Sequence, residues 1–359
     1  MRFRHALVVG KFYPPHRGHH HLIRSAAAVS ERTTVAMLGA SVESMSIPDR
    51  VSWLSAEHAG DPGVMVLGDL DDHPIDFHDD AVWEAHLGVI RAVLARRAMA
   101  DGGSPVVDAV FSGEDYGPEL AARLGAAHVR VERLSVSGTA VRRDPVGRWG
   151  DLASSTRAGL AVRVVVVGAE STGTTTLSRA LAEHFGAPWV GEYGREHTER
   201  KLAAARELEK AAPPGLDELV WTDGDFVDVA LRQSAAEDAA AGQGPLLVCD
   251  NDAWAATVWA ERYLGRPCAL PIPSRTPALY LLTDHVGVPF EQDGWRDGEH
   301  LRAWMTARFA SALRDRGVPW VLLSGTPRHR LRRAARACAE AMRTHLRWAP
   351  PLTPATEEG

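Results

Sequence analysis

Ala161-Val162-Arg163-Val164-Val165-Val166-Val167-Gly168 is the segment that most restricts what this chain can fold into. A strand with one face in water alternates apolar and polar residues. This one is almost unbroken valine, the pattern of a strand buried on both faces of a parallel sheet. Such a strand needs helices on both sides and crossover connections to its neighbours, which means layered α/β structure. Directly after it comes Gly168-Ala169-Glu170-Ser171-Thr172-Gly173-Thr174-Thr175-Thr176-Leu177, a glycine-bracketed loop opening a helix. That is the strand–loop–helix context of a phosphate-binding P-loop. Thr175 stands where a Mg²⁺-binding hydroxyl belongs, but Thr174 occupies the place of the usual lysine. Because that lysine steadies the β- and γ-phosphates, nucleotide affinity is expected to survive its loss better than turnover.

A second strand–glycine–helix start lies at the other end of the chain. Ala6-Leu7-Val8-Val9 runs into Gly10-Lys11-Phe12-Tyr13-Pro14-Pro15-His16-Arg17-Gly18-His19. Gly10 leaves room for a phosphate near the backbone, and a helix beginning near Gly18 points free N–H groups at it. His16 and His19 add side-chain donors. His5, His16, His19, His20 and His21 also form a cluster that could bind a metal, although no cysteine or carboxylate lies nearby to complete a tetrahedral set. His20 and His21 read as ordinary helix histidines. Further along, Ser135-Val136-Ser137-Gly138-Thr139-Ala140-Val141-Arg142 places small hydroxyls at a helix start and arginine one turn later, a phosphate cradle with a charged clamp.

With 359 residues, the chain predicts about two domains. Apolar residues at 45% and charged residues at 24% fit a globular protein, and the net charge of −6 gives no sign of a nucleic-acid-binding surface. Lysine is confined to Lys11, Lys201 and Lys210, which makes Lys11 conspicuous inside its motif. Cys249, Cys268 and Cys338 lack C-x-x-C spacing, so no disulfide framework is expected. With no leader-like start and no run long enough to span a bilayer, the expected setting is cytoplasmic and free of membrane.

The expected fold is α/β: a Rossmann-like domain over residues 1–150, a linker at 151–160, a P-loop domain over 161–345 and a flexible tail at 346–359. In the first domain, strands are expected at Ala6–Val9, Thr33–Leu38, Val64–Leu67, Val106–Ser112 and His128–Leu134. Helices are expected at His20–Val29, Pro48–His58, Ala81–Ala98 and Pro118–Leu124. The second domain should add strands at Leu246–Cys249, Ala278–Leu282 and Trp320–Leu323 and a closing helix at Arg328–Met342.

GKFYPPHRGH, then FSGEDYG at Phe111–Gly117, then VSGTAVRRDP at Val136–Pro145 resembles the NadR family, in which a nucleotidylyltransferase domain is joined to a P-loop ribosylnicotinamide kinase domain. The resemblance runs from about residue 5 to 343. It implies transfer of AMP from ATP to nicotinamide mononucleotide, giving NAD and pyrophosphate, and phosphorylation of nicotinamide riboside by ATP, with Mg²⁺ as the metal.

By this resemblance His16 and His19 hold the triphosphate, Arg142 and Lys11 take the departing phosphates, and Gly10, Phe12, Gly18, Ser137 and Thr139 complete the ATP site. Trp53, Trp83 and Tyr116 are candidates to stack on the nicotinamide ring, and Asp49-Arg50 to touch nucleotide. In the kinase domain Gly168, Ser171, Gly173, Thr174, Thr175 and Thr176 form the ATP loop. Thr175 and Asp250 hold the metal, with Asp250 or Asp252 as the alternatives for metal or base. Glu192-Tyr193-Gly194-Arg195-Glu196 resembles the substrate segment, with Glu192 on the riboside. Asp293-Gly294-Trp295-Arg296 resembles the lid, with Arg195 and Arg296 on phosphate charge. A monofunctional adenylyltransferase whose P-loop domain only senses nucleotide is the alternative. A strand beginning by residue 6 leaves no room for the helix-turn-helix that some family members carry, so DNA binding is not expected; homo-oligomerisation is left open.

Overall fold

β1 (Phe3–Gly10) lies at the centre of the first sheet and sends alternate residues to opposite faces. Ala6 and Val8 join Ile23, Val35, Met37 and Leu54 on one side, whereas Leu7 joins Leu87, Ile90, Val110 and Leu120 on the other. Each fully buried Leu or Ile contributes about 1.5–3 kcal/mol relative to exposure. The structure, a computed structural model, describes residues 2–76, 78–209, 214–270, 276–293 and 295–352. It divides into two units, Met1–Gly159 with Arg347–Gly359, and Leu160–Leu346.

In the first unit β1 is followed by α1 (Arg17–Ala28), β2 (Ser30–Gly39), α2 (Ile47–Glu57), β3 (Val64–Leu70), α3 (Asp80–Asp101), β4 (Ala109–Ser112), α4 (Gly117–Leu124), β5 (Ala127–Arg130), α5 (Gly138–Arg143) and α6 (Ser154–Leu160). The sheet order is β3-β2-β1-β4-β5, with every pairing parallel. The chain crosses from β3 back over β1 to β4, so the connections leave β1 and β4 in opposite directions. A crevice opens beyond the carboxyl ends of strands at such a switch point.

The second unit contains β6 (Val162–Gly168), α7 (Thr174–Phe185), β7 (Trp189–Val190), α8 (Tyr193–Leu208), α9 (Asp223–Ala241), β8 (Leu246–Asp250), α10 (Ala255–Leu264), β9 (Leu279–Thr283), α11 (Arg302–Arg316), β10 (Trp320–Leu323) and α12 (Pro327–His345). Its order is β10-β9-β6-β8-β7, again all parallel. Val164–Val167 are buried at the centre, as the valine run requires. Val166 pairs in register with Asp250, which brings the ends of β6 and β8 side by side. The α/β reading of both halves holds. No helix among the described residues is long and apolar enough to cross a membrane.

Two expectations are corrected. Residues 151–160 are not a bare linker: Asp151 pairs with Arg17 at 3.0 Å, Leu152 bridges His16, and Ser155 Oγ donates to the Trp53 carbonyl at 2.8 Å. Leu152 and Thr156 are buried, so this stretch gains packing that its polar composition does not advertise. The described part of the 346–359 tail is likewise held in place. Ala349 N–H donates to Ser44 Oγ at 2.7 Å, Tyr13 hydroxyl donates to the Ala349 carbonyl at 2.9 Å, and Lys11 Nζ donates to the Leu352 carbonyl. A tail without secondary structure has free backbone groups, and these polar side chains satisfy them. Residues 353–359 lie outside the described residues.

Candidate active sites

The first unit has a cavity of about 490 Å³ at the switch point, lined by Gly10, Lys11, Phe12, His16, Gly18, His19, Ser137, Thr139 and Arg142. The two distant motifs therefore meet at one crevice. His16 caps α1 with extended backbone, and its N–H donates to His19 Nδ1 at 3.3 Å. The two rings stack with centroids 3.6 Å apart, and the Phe12 ring stands edge-on to His19 at 4.8 Å. Burial pushes His16 down to about 4 and His19 well below its ordinary value, with His16 and His20 further opposing a charge on His19. Both are neutral at neutral pH. Since His19 Nδ1 accepts a hydrogen bond, its proton sits on Nε2, which is a donor.

The space beside Gly10 is used differently from the sequence expectation. A Cβ there would lie 3.3 Å from the Phe12 ring, so Gly10 accommodates that buried ring rather than simply leaving a gap for phosphate. Phe12 belongs to the core and takes a φ of 47°. Ser137 caps α5, its Oγ accepting from Ala140 N–H at 3.1 Å. Arg142 donates to the Tyr13 carbonyl at 2.5 Å and to Thr139 Oγ1 at 3.0 Å, which aims the guanidinium along the cavity wall. Burial lowers the Lys11 ammonium pKa.

Trp83 and Tyr116 line this cavity, and Tyr116 is fixed by a 2.9 Å hydrogen bond to the Val9 carbonyl. Trp53, Asp49 and Arg50 are not among its lining residues. Trp53 accepts from Ser155 through its carbonyl, and Asp49 is hydrogen bonded to Ser46 Oγ at 2.6 Å at the start of α2. Arg50 is wholly buried, pairs with Glu43 at 2.7 Å and donates to the Lys11 carbonyl at 2.8 Å. Its role is to hold the Lys11 backbone.

The histidine cluster read from sequence does not converge on a metal. His5 bonds Thr34 Oγ1 at 2.8 Å, and His20 Nδ1 meets His58 Nε2 at 3.0 Å. A different group, Asp71, His73 and His86, converges on the cavity instead. No local motif could show this, because His86 stands on α3 and the other two follow β3.

The second unit has a cavity of about 160 Å³, lined by Gly168, Ser171, Thr174, Thr175, Glu192, Arg195, Asp252 and Arg296. Gly173, Thr176, Tyr193 and Asp250 are not among its lining residues. Gly173 caps α7 with φ at 85°, a backbone that favours glycine. Thr176 is exposed, and Tyr193 hydroxyl accepts from Arg200 at 2.7 Å. Asp250 sits behind the loop, where Thr175 Oγ1 donates to its Oδ2 at 2.5 Å and its Oδ1 is buried without a partner. Asp252 is used structurally, with Oδ1 accepting from Ala255 N–H at 2.7 Å and Oδ2 from Tyr280 hydroxyl at 2.6 Å.

Burial raises the Asp250 carboxyl above the usual carboxylate range, and burial together with the Asp250 charge raises Glu192 as well. With threonine at 174 the loop supplies no ammonium to counter these acids. Arg195 and Arg296 line the cavity; Arg195 pairs with Asp293 at 3.1 Å, and Arg296 donates to the Glu291 carbonyl at 2.6 Å. Gly294, within the lid motif, lies outside the described residues. Sequence reading missed Arg302 and Arg330, whose guanidinium groups hold the loop carbonyls of Ser171 at 3.1 Å and Thr172 at 2.9 Å. It also missed the aromatic wall, where Trp221 stacks on Tyr263 at 4.8 Å beside Trp259.

A Rossmann-like sheet with His-x-Gly-His at its crevice and a parallel sheet with a P-loop-like turn at its central strand define a protein of two parallel-sheet α/β units, each with a glycine-containing strand-to-helix loop of the phosphate-binding pattern. Comparisons with known proteins narrow this. A family model described as an AAA domain matches residues 163–330. The trifunctional NAD biosynthesis/regulator protein NadR of Escherichia coli (strain K12) is 24% identical over 284 residues, covering 72% of this chain. Its counterpart in Salmonella typhimurium (strain LT2) is 22% identical over the same length. The chain spans 63% of the length of each of these curated relatives. A solved NadR structure in complex with NR has a TM-score of 0.63 at 20% identity, over 95% of this chain and 97% of that one. Another, with NAD and AMP-PNP, has a TM-score of 0.65 at 20% identity, over 95% and 96%. The chain is NadR-like in fold through both units, as its motifs suggested.

Proposed function

We propose that the first unit adenylylates nicotinamide mononucleotide with ATP, releasing NAD and pyrophosphate, and that the second phosphorylates nicotinamide riboside with ATP. The observation that carries the first assignment is the meeting of His16, His19, Ser137, Thr139 and Arg142 at one 490 Å³ cavity. In this reaction a phosphate oxygen of the mononucleotide attacks the α-phosphorus of ATP in line, and the bond to the β-phosphate oxygen breaks. Positioning and charge stabilisation are the main demands on the protein. His19 Nε2–H donates toward the reacting phosphate, while Arg142, and Lys11 once released from the Leu352 carbonyl, stabilise the leaving pyrophosphate. The ligands bound in the solved relatives, NR, NAD and AMP-PNP, support this substrate class.

In the second unit, the unpartnered Asp250 Oδ1 beside the Thr175 hydroxyl suits an oxygen-preferring divalent ion, so these two residues are assigned to Mg²⁺. When bound, Mg²⁺ would offset the negative charge of the phosphates. Glu192 faces the riboside, and Arg195 and Arg296 provide positive charge in place of the missing loop lysine. Thr174 supports a second reading, in which this unit binds nucleotide for regulation alone. The buried free cysteines fit a reducing, cytoplasmic setting.

The test is His19→Ala, assayed separately for the two reactions. Loss of one charge-stabilising donor should lower NAD formation by about 10²–10³. Riboside phosphorylation should persist. Near-normal NAD formation by the variant would remove His19 from its assigned role, and absence of NAD formation by the unaltered chain would remove the adenylyltransferase assignment.

A further inference from the structure

Asp71, His73 and His86 line the first cavity but have no part in the phosphate chemistry assigned to it. The Asp71 carboxylate is buried and stands between two imidazoles, 2.8 Å from His73 Nδ1 through Oδ1 and 2.7 Å from His86 Nδ1 through Oδ2. His86 Nε2 lies 3.0 Å from the Pro74 carbonyl. That carbonyl can only accept, so Nε2 keeps its proton. A neutral imidazole has no second proton, and the Nδ1 lone pair then faces a carboxylate oxygen. The arrangement is repulsive unless a cation lies between them, either a proton or a metal ion.

We propose that Asp71, His73 and His86 bind a late first-row divalent cation of the zinc, cobalt or nickel type. Their ligand atoms lie within 4.8 Å of one another. Ligands about 2.0–2.2 Å from one ion stand about 3–4 Å apart, so small side-chain rotations complete the set. Two nitrogens and one carboxylate favour these metals over Mg²⁺, which prefers oxygen. The Pro74 carbonyl on His86 Nε2 is the outer contact that fixes the tautomer of a metal-bound histidine. Three protein ligands leave a coordination position for an oxygen or nitrogen donor of whatever occupies the cavity. Lys11 is the opposing charge: it acts against charge on His86, although its ammonium is half-buried and donates to the Leu352 carbonyl.

The test is Co²⁺ titration of the full chain without nucleotide, followed by visible absorption and calorimetry, with Zn²⁺ as competitor. One equivalent should bind with a nitrogen- and oxygen-ligand spectrum. Asp71→Asn and His86→Ala should each weaken binding by about tenfold or more. His73→Ala is the variant that keeps the test valid if those two fail to fold, because His73 is exposed; it should weaken binding as well. His21→Ala, at an exposed position outside the site, should have no effect. Equal Co²⁺ binding by wild type and His73→Ala would overturn the proposal. So would absence of stoichiometric uptake with His86 titrating as an imidazolium, since a proton would then occupy the position. The measurement needs no catalysis, so its outcome is separate from that of the adenylyltransferase assignment.

Discussion

Thr175 donates its hydroxyl to Asp250 at 2.5 Å, so the P-loop and the end of the neighbouring β-strand are joined directly. The link forms because Val166 and Asp250 are register partners in adjacent parallel strands. The same pairing places a buried acid beneath a phosphate loop that lacks its lysine.

Asp250→Ala should depress riboside phosphorylation strongly, because it removes both the Thr175 partner and the carboxylate proposed to hold Mg²⁺. Thr174→Lys should preserve or raise turnover. Position 174 lines the cavity, and an ammonium there would offset the charge of Asp250 and Glu192, whose carboxyls are raised by burial. Steady-state kinetics of the two variants decide the matter. A clear loss in Thr174→Lys would mean that Arg195 or Arg296 already fills the lysine's space and repels it.

The two units should respond oppositely to pH. Burial holds His16 down to about 4 and His20 to about 3. Below their ordinary value near 6.5 the unfolded chain takes up protons that the folded first unit refuses, so its stability falls with falling pH. Burial raises Glu237 to about 8 and raises Glu192 in the same direction. Above about 4.5 the unfolded chain releases protons that the folded second unit retains, so its stability falls with rising pH. Between about pH 5 and about pH 6.5, hydrogen exchange corrected for intrinsic rates should show protection rising with pH in β1 and falling in β8. Parallel changes in both strands would contradict these burial effects.

Ending the chain after Trp348 should free Lys11. Its ammonium is bound to the Leu352 carbonyl, and both Pro351 and Leu352 line the first cavity. A hydrogen bond to a charged group contributes about 1.5–3 kcal/mol, so the KM for ATP in adenylyl transfer should fall by about tenfold or more. Lys11→Ala should abolish the difference between long and short chains. An unchanged KM would mean that the tail leaves without measurable cost.

Contiguous signals were legible in the sequence. The valine run, the glycine-bracketed loop and His16 to His19 each depend on neighbours in the chain, and each is found where the pattern placed it. Pairing Ser137 and Arg142 with the histidines also succeeded, because strands of one parallel sheet bring their carboxyl ends to the same edge. Features that depend on tertiary contact were not legible. Arg50, read as a nucleotide contact, is buried against Glu43, and Asp252, read as the alternative to Asp250 for metal or base, caps α10 and accepts from Tyr280. Asp71, His73 and His86 come together only because the start of α3 packs beside the end of β3. Residues 151–160 read as a linker and 346–359 as a flexible tail, and the anchoring of 151–155 and 349 by Arg17, Trp53, Tyr13 and Ser44 has no local pattern.

The most direct test of the two-activity account is to incubate the purified full chain with ATP, Mg²⁺ and either nicotinamide riboside or nicotinamide mononucleotide, and to follow products by mass. The account predicts mononucleotide and ADP, followed by NAD, from the riboside, and NAD with pyrophosphate from the mononucleotide. NAD from the mononucleotide with no product from the riboside would leave the second unit as a nucleotide sensor. Absence of NAD in both reactions would contradict the account as a whole.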